Sequence, residues 1–213
     1  MNELLTEISE QLQKGKAKIV VQLVKQALDE GIPPPTILED GMLAGMAVVG
    51  EKFKANEIFV PEVLVAARAM NKGAEVLKPA LQEAGVESKG VAVIGTVAGD
   101  LHDIGKNLVK MMMEGKGIEM IDIGVDAPAI KFIEAAREHD ASIICCSTLL
   151  TTTMGEMEKV VELLKESELA GKVKIMVGGA PVTQEFCDQI GADYYTADAA
   201  TAADKAMEIL EQA

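Results

Sequence analysis

Short apolar runs that alternate with helix-like segments constrain the fold of this chain more than any other feature. The runs span residues 91–98, 118–123, 142–147, 173–177 and, more weakly, 192–196. Helical patterning follows at 107–114, 129–139, 154–166, 181–189 and 200–212. Continuous apolar strands separated by helices indicate a parallel sheet covered on both faces. We therefore predict a doubly wound domain with a five-stranded parallel sheet over residues 91–213.

The first 84 residues have a different pattern, with apolar residues at helical spacing and no convincing strand. Leu4, Leu5, Ile8 and Leu12 share one face, and a second helix over 19–28 is stopped by Gly31. A third segment covers about 35–53, and a fourth begins near Pro61 and runs to about 83. Four helices with short loops predict a small bundle. The polar stretch 85–90, flanked by glycines, is predicted to link the two domains.

Charge and composition exclude several classes of function. The net charge is −14, which argues against binding to nucleic acid or to an anionic membrane surface. No apolar run approaches the ~18 residues of a membrane-spanning helix, and the acidic N-terminus does not resemble a signal peptide. Cys145, Cys146 and Cys187 are an odd number of thiols, which indicates reduced cysteines in a cytoplasmic protein.

The loop after the first predicted strand carries the pattern Asp-x-His-x-x-Gly, formed by Asp100, His102 and Gly105. Ligands of such sheets bind beyond the carboxyl ends of the strands. A lone histidine there is usually structural, but here a carboxylate two residues earlier is placed to accept the far N–H of a metal-ligating imidazole. Gly105 leaves room for a bulky group, and Asp103 is read as a helix cap. His139, at the end of a helical segment, is read as a surface residue.

Two further motifs follow later strands. A run of hydroxyl side chains extends from Ser147 to Thr153, and adjacent glycines stand at Gly178 and Gly179. Hydroxyls at a strand end bind a polar ligand or cap a helix, whereas adjacent glycines allow a close backbone approach or form a tight turn. Each motif is weak alone, but all three fall at the same predicted edge of the sheet.

In this order, Asp-x-His-x-x-Gly, Ser-x-Leu and Gly-Gly resemble the motifs of corrinoid proteins, which have a flavodoxin-like B12-binding domain. The resemblance implies cobalamin or a related corrinoid, bound base-off with His102 on cobalt and Asp100 behind it. Thr153 takes the position of a serine that relays to the aspartate in several of these proteins. The remaining residues implied to contact the corrinoid or its nucleotide tail are Leu101, Asp103, Ile104, Gly105, Ser147, Leu149, Thr151, Gly178 and Gly179.

The helical half is similar to the cap domain of the methionine synthase cobalamin module. It is more similar to the corrinoid proteins of methanol, methylamine and betaine methyltransferase systems. The likeness lies in Gly-Glu-Lys-Phe at 50–53 and in residues 57–63, and with the sheet domain it covers residues 1–211. It implies that Phe53, Val60 and Val63 cover the upper face of the corrin. From the residues alone, Phe53 and Phe59 fit equally well as bundle core.

The resemblance implies a methyl carrier in anaerobic one-carbon metabolism that is not catalytic alone. Cobalt(I) would accept a methyl group from a substrate:corrinoid methyltransferase. Methyl-cobalt(III) would pass it to a corrinoid:acceptor methyltransferase that uses a thiol or a tetrahydropterin. A reductive activation protein would be a third partner. The alternatives are a B12-binding sensor, against which the lack of a basic DNA-binding segment counts, and the cobalamin domain of a mutase, a class that normally lacks this helical cap.

Overall fold

The computed structural model describes residues 2–85 and 88–212. The chain forms two compact units. The first comprises the residues up to Ser88 together with Gly115–Gly117, and the second comprises Lys89–Glu114 and the residues from Ile118 onward. Residues 86 and 87 of the expected 85–90 linker lie outside the described residues.

The N-terminal unit is helical, as the periodicity predicted. Its elements are α1 (Glu3–Gln13), α2 (Ala17–Asp29), α3 (Pro34–Thr36), a π-helical stretch (Ile37–Leu43), α4 (Ala44–Lys54) and α5 (Val60–Glu83). Helix α5 starts with Pro61 in its first turn, where Glu62 Oε2 accepts a hydrogen bond of 3.0 Å from the backbone N of Phe59. The core contains fully buried aliphatic side chains from all the longer helices, among them Ile8, Leu12, Val24, Met42 and Leu77.

The third predicted helix is a continuous helical run whose middle is π-helical. Two glycines bring this run against α1: a Cβ on Gly41 would lie 3.2 Å from Ile8 Cγ2, and one on Gly45 would lie 3.0 Å from the backbone O of Ser9. The wider turn changes which side chains face α1, and apolar spacing alone does not reveal it.

The second unit contains the predicted sheet of five parallel strands. The strands are β1 (Val91–Thr96), β2 (Glu119–Asp122), β3 (Ile143–Ser147), β4 (Lys174–Gly178) and β5 (Tyr194–Tyr195). Their order in the sheet is β2-β1-β3-β4-β5, and Thr96, Ser147 and Gly178 are neighbours at the carboxyl ends of the three central strands. The chain winds in opposite directions from β1 and β3, so the loops after these strands flank the switch point of the sheet.

Helices α6 (Ile104–Glu114), α7 (Ala129–Glu138), α8 (Met154–Glu166), α9 (Gln184–Ile190) and α10 (Ala199–Glu211) complete this unit. Helix α6 packs against α10, and α7 packs against α8. Val93, Ile144 and Val177 belong to the core beneath α7 and α8. The two faces of the sheet are thus both buried, which explains why the strands are continuous apolar runs.

Two details differ from the sequence expectation. Helix α6 begins at Ile104, three residues earlier than expected, so Gly105 lies in its first turn. Strand β5 is only two residues long. The three cysteines are free and buried, as predicted, and burial raises the pKa of the Cys145 thiol to about 12. His139 is exposed at the C-terminal cap of α7, also as predicted.

Candidate functional site

The side chain of His102 is half-exposed and hydrogen-bonded to a buried carboxylate. Nδ1 lies 2.7 Å from Oδ1 of Asp100, and the same oxygen accepts the backbone N–H of His102 at 3.0 Å. Because an ionised carboxylate only accepts hydrogen bonds, Nδ1 is the nitrogen that carries the hydrogen in the neutral imidazole. The imidazole is 53% exposed, while Asp100 is completely buried. This arrangement leaves Nε2 as the ring nitrogen that Asp100 does not engage.

The second oxygen of Asp100 is held by residues after β3. Oδ2 accepts hydrogen bonds from the hydroxyl of Thr148 at 2.8 Å and from the backbone N of Leu149 at 2.7 Å. Burial alone would raise the pKa of Asp100, but the hydrogen bonds from Leu149, His102 and Thr148 outweigh it and hold that pKa well below its usual range. Asp100 is therefore a fixed negative charge behind the imidazole.

Thr148 is a functional residue that sequence reasoning missed. The hydroxyls of Thr148 and Thr153 are 2.6 Å apart, so Thr153 reaches Asp100 through Thr148. The order of contacts is His102, Asp100, Thr148, Thr153. The relay expected at Thr153 thus has an additional hydroxyl in it. No sequence signal separates Thr148 from the other hydroxyls of the run, because only the fold shows which of them faces the β1 loop.

Two further side chains fix the loop that carries His102. The buried hydroxyl of Thr96 donates to the backbone O of His102 at 2.8 Å. Asp126, in the loop after β2, accepts the backbone N–H of Gly99 at 2.7 Å and donates its own N–H to the backbone O of Asp100 at 3.0 Å. Gly99 has a φ of +79°, a conformation that favours glycine. The sequence offered no signal for Asp126, because it lies 27 residues after Gly99, whose N–H it accepts.

The two adjacent glycines at the end of β4, Gly178 and Gly179, have different surroundings. Gly179 has a φ of +136°, and a Cβ there would lie 1.8 Å from the backbone O of Thr148. Any other residue would therefore collide with the segment that holds Asp100. A Cβ on Gly178 would meet only the backbone O of Thr196, at an ordinary 3.6 Å, and one on Gly105 would meet open space. The group that lies close to Gly179 is therefore the protein's own backbone at Thr148.

Four large aliphatic side chains are exposed close to the site. Two lie near His102 in the sequence, and two lie in the segment after β3 that holds Asp100. Leu101 and Ile104 are 72% and 76% exposed, and Leu149 and Leu150 are also exposed. We call these four residues the apolar collar. Exposed apolar side chains in a group indicate a binding surface. Leu150 was not predicted. Asp103 accepts a hydrogen bond from the side chain of Asn107, so it stabilises the first turn of α6 through an amide.

A site with one histidine as its protein ligand fits a metal ion whose other ligands come from a bound cofactor. Within residues 2–85 and 88–212, no group of three or more His, Cys, Asp or Glu side chains could hold a metal ion. A protein site for a bare ion commonly needs three or four ligands. His102 supplies one nitrogen, and the apolar collar suits a flat organic surface beside it. The residues therefore fit a metal inside a macrocycle.

Comparisons with known proteins agree with this geometry. Two family models described as B12 binding domains match residues 90–207 and 4–78. The chain belongs to the B12-binding family. It is 47% identical to "Dimethylamine corrinoid protein 3" of Methanosarcina acetivorans over 97% of each chain. It is 46% identical to "Dimethylamine corrinoid protein" of Methanosarcina barkeri over 98% of each chain.

Solved structures place this corrinoid protein in the expected fold class. The methanol:cobalamin methyltransferase complex MtaBC of Methanosarcina barkeri matches with a TM-score of 0.90 and 30% identity, covering 100% of this chain and 81% of that one. A cobalamin-binding protein of Desulfitobacterium hafniense matches with a TM-score of 0.78 and 28% identity over 96% and 98%. The predicted combination of a helical half and a B12-binding sheet domain is confirmed.

The apolar residues expected over the corrin differ in exposure. Phe53 and Val60 are half-buried, Phe59 is exposed, and Val63 is fully buried in α5. The bundle-core reading therefore does not hold for Phe59. The roles of Phe53, Val60 and Val63 over the cofactor stay predictions, and in this conformation Val63 offers no surface for contact. In the part of the chain that the structure describes, none of the helices is long and apolar enough to span a membrane.

Proposed function

We propose that this protein is a methyl carrier that holds a corrinoid through Nε2 of His102, with the cofactor's own base displaced. The observation that carries the proposal is the half-exposed imidazole of His102, whose Nδ1 is fixed by the buried, ionised Asp100. When bound, the corrinoid's cobalt supplies the centre that accepts and releases the methyl group. The protein residues bind, orient and shield that centre.

The loops around His102 divide this work. The apolar collar packs against the corrin ring, and the edge formed by Ser147, Leu149, Thr151, Thr153, Gly178 and Gly179 lines the path of the nucleotide tail. Asp100 keeps the hydrogen on Nδ1, so that Nε2 remains the ligating atom.

Asp100 stays ionised in either state of the histidine. Thr148 and the backbone N of Leu149 hold Oδ2, and these contacts do not depend on His102. The carboxylate and the loop that carries it therefore stay in place whether or not His102 binds the corrinoid.

The donor and acceptor enzymes are proposed to be separate proteins. Relatives named dimethylamine corrinoid proteins and trimethylamine corrinoid proteins favour a methylamine:corrinoid methyltransferase as the donor partner. The MtaBC complex supports docking to a methyltransferase. A second methyltransferase with a thiol or tetrahydropterin acceptor and a reductive activation protein would complete the system in the cytoplasm. The same names favour a carrier over a B12 sensor.

The ligand assignment is tested by comparing the two histidines of the chain. Purified wild type, His102→Ala and His139→Ala are loaded with hydroxocobalamin, and their visible spectra are recorded. His139 is the control because it is exposed at the end of α7. We expect only His102→Ala to change the spectrum. An identical spectrum in His102→Ala would refute ligation by His102.

The carrier assignment has its own assay. The corrinoid of the loaded protein is first reduced to cobalt(I) with a low-potential chemical reductant under anaerobic conditions. The protein is then mixed with dimethylamine, with or without a purified dimethylamine:corrinoid methyltransferase, and methylation of the corrinoid is followed by absorbance. Methylation is expected only with the methyltransferase present. Multiple turnovers of dimethylamine by this chain alone would contradict the proposal, because they would require a substrate site within the chain itself.

A further inference from the structure

The helical unit contains an open groove between α2 and α5 that the corrinoid site does not use. It encloses about 680 Å³ and is bordered by the α1–α2 loop. Its lining consists of Gly15, Lys16, Ala17, Lys18, Ile19, Val21, Gln22, Val65, Arg68 and Lys72. All of these residues belong to the helical unit, so the groove is a feature of that unit alone.

The charge of this groove is opposite to that of the whole chain. Lys and Arg number 20 against 34 Asp and Glu, which gives the net charge of −14. The groove lining nevertheless holds four basic side chains and no acidic one. Within the described ranges 2–85 and 88–212, only Lys72 of the four makes an ion pair, at 2.8 Å to Glu75. Lys16, Lys18 and Arg68 are exposed cations without a carboxylate partner in that part of the chain.

The start of α2 adds to this positive character. Its N-cap is Lys16, which makes no side-chain capping hydrogen bond, and its first turn has no acidic residue. A helix N-terminus carries partial positive charge and normally attracts Asp, Glu, Ser or Thr. Two lysines at this end are therefore unfavourable for the isolated helix, and an external acidic group would relieve that repulsion.

The floor of the groove is apolar and well defined. Val65 and Ile19 are both partly exposed there. Gly15 has a φ of +66°, and a Cβ on it would lie 2.6 Å from Cγ2 of Val65, so glycine lets the α1–α2 loop lie directly on α5. The groove thus combines aliphatic surface at its base with cations on its edges. A small inorganic anion would use the edges and leave the base uncovered.

We propose that this groove docks an acidic, amphipathic segment of a partner protein, with its apolar side chains on Ile19 and Val65 and its carboxylates beside Lys16, Lys18 and Arg68. Charge complementarity selects this occupant. Nucleic acid, which presents phosphates and no aliphatic side chains, would pair with the cations and leave Ile19 and Val65 uncovered. The proposal goes beyond corrinoid binding, because it assigns a protein-docking function to a different unit of the chain.

The test uses the full-length, corrinoid-loaded protein and fluorescent helical peptides of about 14 residues, which is about four turns. One peptide has a leucine stripe flanked by glutamates, a second has lysines in place of the glutamates, and a third has serines in place of the leucines. The groove variant is Lys18→Glu/Arg68→Glu. Its matched control is Lys25→Glu/Lys78→Glu, which makes the same charge change at exposed positions of the same two helices outside the groove.

Fluorescence anisotropy should show binding of the glutamate–leucine peptide, weaker at higher ionic strength. The groove variant should bind it about tenfold or more weakly, while the control variant keeps at least most of the affinity. Val65→Ser should also weaken binding relative to Leu64→Ser, an exposed neighbour outside the lining. Circular dichroism and corrinoid loading, unchanged in all variants, would show that the fold is retained.

Other outcomes overturn the proposal. Equal binding of the serine peptide would mean a purely electrostatic surface, and equal loss in the Lys25/Lys78 control would mean a general charge effect. Full displacement of the peptide by tripolyphosphate at similar concentration would indicate a small-anion site. Binding to phosphatidylserine vesicles in preference to the peptide would indicate a membrane surface, and concentration-dependent dimerisation lost in the groove variant would indicate self-association.

Discussion

The adjacent glycines Gly178 and Gly179 at the end of β4 test directly how the site is built. Gly179→Ala would place a Cβ 1.8 Å from the backbone O of Thr148, at a φ of +136°. The unfavourable backbone conformation costs about 1–3 kcal/mol, and forced displacement of a packed segment costs about 1–3 kcal/mol more. We therefore expect Gly179→Ala to lower the free energy of unfolding by about 2–6 kcal/mol. The displaced segment carries two of the donors to Asp100.

Gly178→Ala is the matched control. Its Cβ would meet the nearest atom, Thr196 O, at 3.6 Å, and Gly178 does not have a positive φ. Its free energy of unfolding should stay within about 1 kcal/mol of wild type. Urea denaturation of the cofactor-free proteins measures both values. Equal stability of the two variants would refute the reasoning that Gly179 is required by the protein's own backbone. A loss of corrinoid affinity in Gly178→Ala without a loss of stability would assign Gly178 to the cofactor.

Three further predictions concern the carboxylate behind the imidazole. Asp100→Asn should weaken corrinoid ligation or methyl-transfer activity by about 10–100-fold, measured by spectral titration, whereas Asp103→Asn should not. The pKa of Asp100 is lowered in the folded state, so the ionised carboxylate stabilises the fold above the unfolded pKa of about 3.9. This contribution is lost as the pH falls below that value. Urea unfolding at pH 7 and pH 3 should therefore show that the difference in unfolding free energy between wild type and Asp100→Asn becomes smaller in acid. Thr148→Val should lower stability by about 1–3 kcal/mol. It should also weaken corrinoid ligation more than Thr153→Val, because the Thr148 hydroxyl contacts Asp100 directly; the reverse order would place the relay at Thr153.

The parallel sheet was predictable because its strands are buried on both faces. Runs such as 91–98 and 142–147 contain no charged residue, and glycine or polar residues stand at their ends. Strand β5 gave the weakest signal and is the shortest strand, at the edge of the sheet. The π-helical stretch was not predictable, since it depends on how Gly41 and Gly45 pack against α1.

The contact between His102 and Asp100 was predictable from the sequence, and the contacts that support it were not. His102 and Asp100 are two residues apart, so a local motif reports them. Thr148 and Asp126 reach the same loop from sequence separations of 48 and 27 residues. Such contacts follow from strand order, because β1 lies between β2 and β3. Residues that act across strands therefore become visible only when the sheet is known.

The burial of these groups suits the proposed role of His102 as an exchangeable ligand. Asp100, Thr148 and Thr153 are buried, whereas His102 is half-exposed. The hydrogen bonds to the Asp100 carboxylate come from His102, Thr148 and Leu149 of the chain itself. Removing a partner from a buried charge is strongly destabilising, but a metal that left Nε2 would remove none of these partners. If His102 binds and releases cobalt as proposed, the carboxylate and its loop therefore keep their geometry.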